Sequence, residues 1–240
     1  MTTMASPQVD RRSVLRTGLV IAAGVSVAAL AGCTGTARVA SPGGSSLPSN
    51  SESASGRTTP GGSRTLLAFF SRPGEQYWNG GRRTVRTGNT AVAASYIQDA
   101  INVDTYRIEP AEPYPEAYEP TVQRNWSEVQ ADARPPLAQL PPSLDGYDRV
   151  LLGSPVRASQ EPMIMRTFAD AVGGLQGATV HPFVTYAVSG MGKVRDDYAR
   201  LYPGATIAPG LAVRGEEVRA ERDSVLSWLD RLGLASAGNR

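Results

Sequence analysis

Residue types that carry much of enzyme chemistry are nearly missing from this sequence: its 240 residues include one cysteine, one histidine and, among 24 basic residues, one lysine. A lone cysteine, Cys33, excludes an intramolecular disulfide. A lone histidine, His181, excludes a multi-histidine metal site, and its place early in an apolar run reads as a core or edge histidine rather than a triad base. Lys193 follows Gly192, yet Val194 stands where a phosphate-cradling Gly-x-x-x-x-Gly-Lys-Ser/Thr loop needs a hydroxyl residue. A nucleoside triphosphatase is therefore not expected. No Gly-x-Gly-x-x-Gly follows the first apolar run, so the dinucleotide fingerprint is missing too. Charge is sparse at 19%. With residues 1–32 set aside, basic and acidic side chains are equal in number, and no nucleic-acid partner is implied. The whole sequence is 41% hydrophobic, enough for a sizeable core.

The N-terminus carries three features in order. Arg11 and Arg12, in Asp10-Arg-Arg-Ser-Val-Leu-Arg16, resemble the twin-arginine signal of the machinery that exports folded proteins. The uncharged run from Thr17 to Gly32 is shorter than the roughly 20 apolar residues of a spanning helix and suits a cleavable signal segment. It ends in Leu30-Ala31-Gly32-Cys33, which resembles the box at which lipoprotein signals are cut before a lipidated cysteine. The alternative is an ordinary thiol inside an uncleaved anchor. Two acyl chains on Cys33 give stable anchoring where one binds only marginally. Thr34 to Ser63 is rich in Ser, Gly, Pro and Thr and reads as a tether. The expected organisation is a signal peptide over 1–32, a lipidated flexible linker over 33–63, a folded domain over 64–234 and a tail over 235–240. The lipid bilayer at the outer face of a bacterial cytoplasmic membrane is then a partner through acylated Cys33.

From Arg64 onward short apolar runs alternate with helical patterns, the sign of a parallel sheet with crossover helices. Strands are expected over Thr65 to Phe70, Val103 to Ile108, Arg149 to Gly153, Thr179 to Tyr186 and Thr206 to Val213. Helices are expected over Thr90 to Ile101, Glu161 to Val172, Lys193 to Leu201 and Glu216 to Leu232. The proline-rich stretch from Glu109 to Ser143 has room for one more around Thr121 to Asp132. In such sheets a ligand sits beyond the carboxyl ends of the strands, where strand order reverses, which directs attention to the loops after strands one, three and four.

Strand one ends in Phe69-Phe70-Ser71-Arg72 and helix one opens with Thr87-Gly88-Asn89-Thr90. Backbone N–H groups at a helix N-terminus, short hydroxyls and a glycine suit a phosphate dianion; a plain capping turn is the alternative. With 73–86 excised, the string resembles the flavodoxin phosphate loop. The Tyr77-Trp78-Asn79-Gly80-Gly81 insertion is similar to that of a long-loop flavodoxin subgroup, and its aromatics serve either as a lid or as pins of the loop. Leu144-Asp-Gly-Tyr-Asp148 and Gly153-Ser154-Pro155-Val156 resemble the family's approach to the flavin ring, but Arg157 and Ala158 replace its tryptophans. Arg157 is expected either to face the ring through its flat cationic guanidinium or to lie in a solvated loop. The turn from Val184 to Gly192 resembles the loop on the ring's other side, with Ser189, Gly190 and Gly192 matching and Tyr186 available as an aromatic contact.

The chain is thus identified by resemblance, over about 65–232, as a member of the flavodoxin-like family. That implies a three-layer α/β sandwich with a five-stranded parallel sheet of order 2-1-3-4-5 and helices on both faces. It implies FMN as cofactor, held at its phosphate by Ser71, Arg72, Thr87, Gly88, Asn89 and Thr90, and at its ring by Ser154, Pro155, Val156, Arg157, Ala158, Tyr186, Ser189, Gly190 and Gly192. No side chain is assigned as a catalytic acid or base, and no metal is expected. The function implied is electron transfer or flavin-dependent reduction with an unidentified donor and acceptor. The alternative is a lipoprotein of this fold that has lost FMN and acts as a binding module.

Overall fold

The computed structural model describes residues 63–234. The export signal with Arg11 and Arg12, Cys33, nearly all of the linker, and the tail over 235–240 lie outside the described residues.

The central sheet is parallel and follows the expected order. Strand β1 (Thr65–Phe70) lies between β4 (Asp104–Ile108) and β5 (Arg149–Pro155), and β6 (Thr179–Tyr186) pairs with the far side of β5. Alternate residues of β1 bury on opposite faces. Leu66, Ala68 and Phe70 join one core cluster, and Leu67 and Phe69 the other. A strand buried on both faces reads as a continuous apolar run, as β1 does, and demands helices on both sides. Helices α3 (Met163–Val172) and α4 (Val194–Leu201) cover the first face through Ile164, Phe168, Val194 and Tyr198. Helices α1 (Asn89–Ala100) and α5 (Arg222–Arg231) cover the second through Ala93, Ile97, Val225, Trp228 and Leu229.

Three elements differ from the sequence expectation, each for a local reason. The fifth strand is split into β7 (Thr206–Ile207) and β8 (Leu211–Arg214), both parallel to β6. Pro182 in β6 and Pro209 in the gap lie where the pairing lapses between Val180↔Ile207 and Phe183↔Leu211; a residue without an N–H cannot continue a ladder. The expected helix from Glu216 to Leu232 is a 3-10 turn, Val218–Ala220, followed by α5. The 73–86 insertion is not a loop but an antiparallel hairpin, β2 (Gly74–Trp78) with β3 (Gly81–Val85). Its two-residue turn, Asn79-Gly80, has positive φ at both positions (46° and 85°), the mirror-image turn that matches strand twist. Helix α2 (Tyr118–Gln130) begins three residues before the expected start and carries Pro120 in its first turn, where a missing N–H costs nothing.

Below the carboxyl edge of the sheet lies a buried carboxyl pair. Glu161, at the N-terminal end of α3, is wholly buried and accepts from Arg166 Nε at 2.8 Å, while Asp197 on α4 pairs with Arg200. Each retains one enclosed oxygen without a donor. A proton shared between the two satisfies both. Burial, and then the hydrogen bond with Asp197, pushes the Glu161 carboxyl up to about 7. The folded state therefore holds a proton that the unfolded chain releases near pH ~4.3. The contribution of this pair to stability is full below that value and is lost as pH rises through about 7. The melting temperature is expected to fall by on the order of a few degrees from about pH 5 to about pH 8. Glu161→Gln should flatten that slope in a melting series.

Candidate functional site

The crevice opens where the chain leaves β1 for one side of the sheet and β5 for the other, the switch point of strand order. A cavity of about 350 Å³ lies there, within the size range of small-molecule and cofactor sites.

One end of the cavity meets the N-terminus of α1. Gly88 precedes the helix with no side-chain cap, and no acidic residue lies in the first turn. Ser71 Oγ accepts from Ala91 N at 3.0 Å, and Val92 N reaches Gly88 O. No protein acceptor meets the N–H groups of Asn89 and Thr90 among the described residues. Gly88 is required sterically: a Cβ there would lie 2.3 Å from Arg72 O and 2.4 Å from Ser71 Oγ. The result is a tight concave turn with open donors and the positive end of a helix dipole, the donor set that a phosphate requires. Thr90, however, is committed elsewhere, since its hydroxyl shares a buried 2.8 Å hydrogen bond with Thr185 of β6.

Arg72 belongs to this loop by backbone only. Its side chain is buried and donates through Nη1 to Pro115 O at 2.8 Å and Glu116 O at 2.9 Å, and through Nη2 to Glu75 O. The guanidinium fastens the hairpin to the segment after β4, and Glu75 N donates to Glu116 O at 2.7 Å beside it. These guanidinium donors are committed to carbonyls, while the residue also lines the cavity and its Nε has no partner. The hairpin aromatics divide their roles: Tyr77 lines the cavity, whereas Trp78 packs under Arg83, whose guanidinium lies 4.5 Å from the ring centre.

The second loop is a tight turn in which Arg157 and Gln160 exchange backbone hydrogen bonds at 2.9 Å. Ala158 and Ser159 at its tip have φ of 48° and 62°, left-handed conformations that cost non-glycine residues roughly 1–3 kcal/mol each. The third loop braces them. Ser159 O accepts from Lys193 N at 2.7 Å, and a Cβ on Gly192 would lie 2.4 Å from that same oxygen. Gly192 and Gly190 thus shape the turn and do not line the cavity. Neither does Ser154, whose hydroxyl is buried 3.4 Å from Tyr198 OH.

Arg157 is not a solvated loop residue. It is half-buried, it lines the cavity, and its Nε is enclosed without a partner. Burial, and next the neighbouring Arg72 charge, lower its guanidinium to about 10. No carboxylate pairs with it among the described residues. Of the other expected residues, Arg72, Asn89, Pro155, Val156, Ala158, Tyr186 and Ser189 line the same cavity, whereas Ser71, Thr87, Gly88 and Thr90, at or against the start of α1, do not.

Two contributions were not anticipated. Helix α2 forms one wall with Tyr118, Val122, Asn125 and Trp126. The 3-10 turn brings Arg219 onto the phosphate-type loop, where it donates to Thr87 O at 3.2 Å and Asn89 Oδ1 at 3.4 Å. The α2 spacing i, i+4, i+7, i+8 marks one helical face. It was open to reading, but proline crowding around it hid the helix start.

A doubly wound parallel sheet with an anion-type loop after β1 and two ring-sized loops after β5 and β6 defines the class of flavodoxin-like α/β proteins. The Flavodoxin family model matches residues 84–232, more than half of the chain, and the chain belongs to that family. Among solved structures it is similar to a protein from Bacteroides uniformis, provisionally described as a flavoprotein, at 28% identity and a TM-score of 0.57, covering 70% of this chain and 99% of that one. A second, from Bacteroides eggerthii and described in the same way, gives 27% identity and a TM-score of 0.57, with coverage of 72% and 99%. No curated protein matches the sequence.

Proposed function

We propose that the protein is an FMN-binding redox protein, exported and held by lipid at the outer face of a bacterial cytoplasmic membrane. The observation that carries the cofactor is the helix end that meets the cavity: the N-terminus of α1, whose Asn89 and Thr90 N–H groups have no protein acceptor among the described residues, beside a glycine that tolerates no Cβ, at the switch point of the sheet. Ser71, through its free hydroxyl proton, and the amides of Asn89 and Thr90 hold the phosphate. Loops 155–158 and 186–189 enclose the ring. Bound FMN supplies electron or hydride transfer, and this chain's residues bind, orient and set the charge around it. The Bacteroides proteins' provisional description as flavoproteins supports the same reading.

Three outcomes test it. In Gly88→Ala, the added methyl meets Arg72 O, and FMN affinity should fall by on the order of tenfold or more while riboflavin, lacking the phosphate, changes little. Equal losses for both ligands in a fluorescence titration would remove the phosphate from this loop. Arg157 places an uncompensated positive charge in the cavity, which favours the negative charge that reduction brings. The native protein is therefore expected to show a less negative reduction potential than Arg157→Trp by redox titration; an equal or more negative native value contradicts this. Finally, Cys33→Ala should release the protein from the membrane fraction. Retention of the variant with the membranes would count against lipid anchoring and for an uncleaved anchor.

A further inference from the structure

The loop tryptophans that would flank a flavin ring are replaced by Arg157 and Ala158, and the cavity shows where the aromatic surface has gone. Trp126 of α2 lies on its wall with Val122 and Tyr118. It is 53% exposed, one of three large hydrophobic side chains exposed among the described residues, and it opens onto the cavity. Tyr118 is held in place from behind: Arg82 sits over its ring at 3.7 Å and pairs with Glu119 at 2.9 Å. Its backbone N–H donates to Glu75 Oε2 at 2.9 Å.

The polar residues of this wall are also informative. The face that α2 buries is polar, comprising Thr121, Asn125 and Glu128. Thr121 bonds Pro115 O at 2.7 Å and Ala117 O at 2.8 Å, and Glu128 accepts from Tyr114 OH at 2.7 Å and Arg124 Nε at 2.8 Å. Asn125 is 8% exposed and lines the cavity, and its amide is not among the enclosed groups that lack a partner. An amide in that position both donates to and accepts from a ligand. Arg157 faces the same space, and its Nε is enclosed without a partner.

We propose that α2, rather than the loop after β5, provides the aromatic face of the ring site. Trp126, with Val122 and Tyr118, stacks on one face of the bound isoalloxazine, while Asn125 and Arg157 hydrogen-bond to the carbonyl-bearing edge of the ring. The chemistry of the set matches such a ligand. A flat tricyclic ring offers one apolar end to the indole and, at the other, two carbonyl acceptors and an imide donor. Asn125 both donates and accepts, and Arg157 donates only. This assignment rests on the FMN reading and adds to it which element grips the ring.

The test uses the purified full-length chain with FMN as the probe, comparing the native protein with Trp126→Ala and Trp126→Phe. Two quantities are read: the dissociation constant and the emission of bound FMN at saturation. Stacked indole quenches flavin emission, so Trp126→Ala should weaken FMN by on the order of tenfold and leave the bound flavin severalfold brighter. Trp126→Phe should fall between. The melting temperature of the FMN-free protein should be unchanged in both, because the indole is half exposed. Should the alanine variant melt lower, the phenylalanine variant carries the comparison. Unaltered affinity and emission in Trp126→Ala would overturn the assignment while leaving native FMN binding intact. Failure of the native protein to bind FMN would overturn the flavin reading and this assignment together.

Discussion

The structure depends on a sheet buried on both faces. Because β1 hides Leu66 and Phe70 on one side and Leu67 and Phe69 on the other, every crossover must return over a helix. The loops that start those crossovers therefore gather at one edge of the sheet. Where the chain departs from β1 toward α1 and from β5 toward α3, on opposite faces, the departing loops splay apart and a crevice opens between them. No single binding residue creates that crevice; it follows from topology. The loops then determine what it holds. A glycine turn and open amides close one end, two mutually braced turns line another side, and a helix that packs with few apolar residues supplies the last wall.

Arginine takes on structural work that lysine does poorly, which bears on an arginine-rich sequence. The flat five-donor guanidinium of Arg72 reaches three carbonyls from two segments at once, and that of Arg219 spans Thr87 and Asn89. Arg82 stacks on Tyr118 while pairing with Glu119. Arg157 is the exception. It is half-buried, no carboxylate pairs with it among the described residues, and its enclosed Nε has no partner. On the FMN reading proposed above, that charge lies against the ring.

Much of this was legible in advance, and the failures have physical causes. The continuous apolar runs of β1, β5 and β6 identified a two-sided sheet directly, and the flavodoxin resemblance supplied its strand order. The turn Thr87-Gly88-Asn89-Thr90 into α1 was readable because helix starts are marked by local chemistry. The hairpin was missed although Asn79-Gly80 is a strong short-range turn signal, because its strands are largely polar, β3 being exposed at four of its five positions, and carry no apolar alternation. The commitment of Arg72 to carbonyls of residues more than forty positions away is a tertiary fact that no local pattern encodes. The α2 wall escaped because its buried positions, Thr121, Asn125 and Glu128, are polar, so hydrophobic periodicity could not show which way the helix faces. The split of the fifth strand needed Pro182 and Pro209 to be seen side by side.

The measurement closest to the central claim is the visible absorbance spectrum of the full-length chain as purified, followed by titration with FMN while flavin emission is recorded. A two-banded flavin spectrum, or saturable quenching with a micromolar dissociation constant, is the predicted result. A colourless protein that leaves FMN emission unchanged at high micromolar concentration would contradict it, and would mean that the crevice serves a binding module from which the cofactor has been lost.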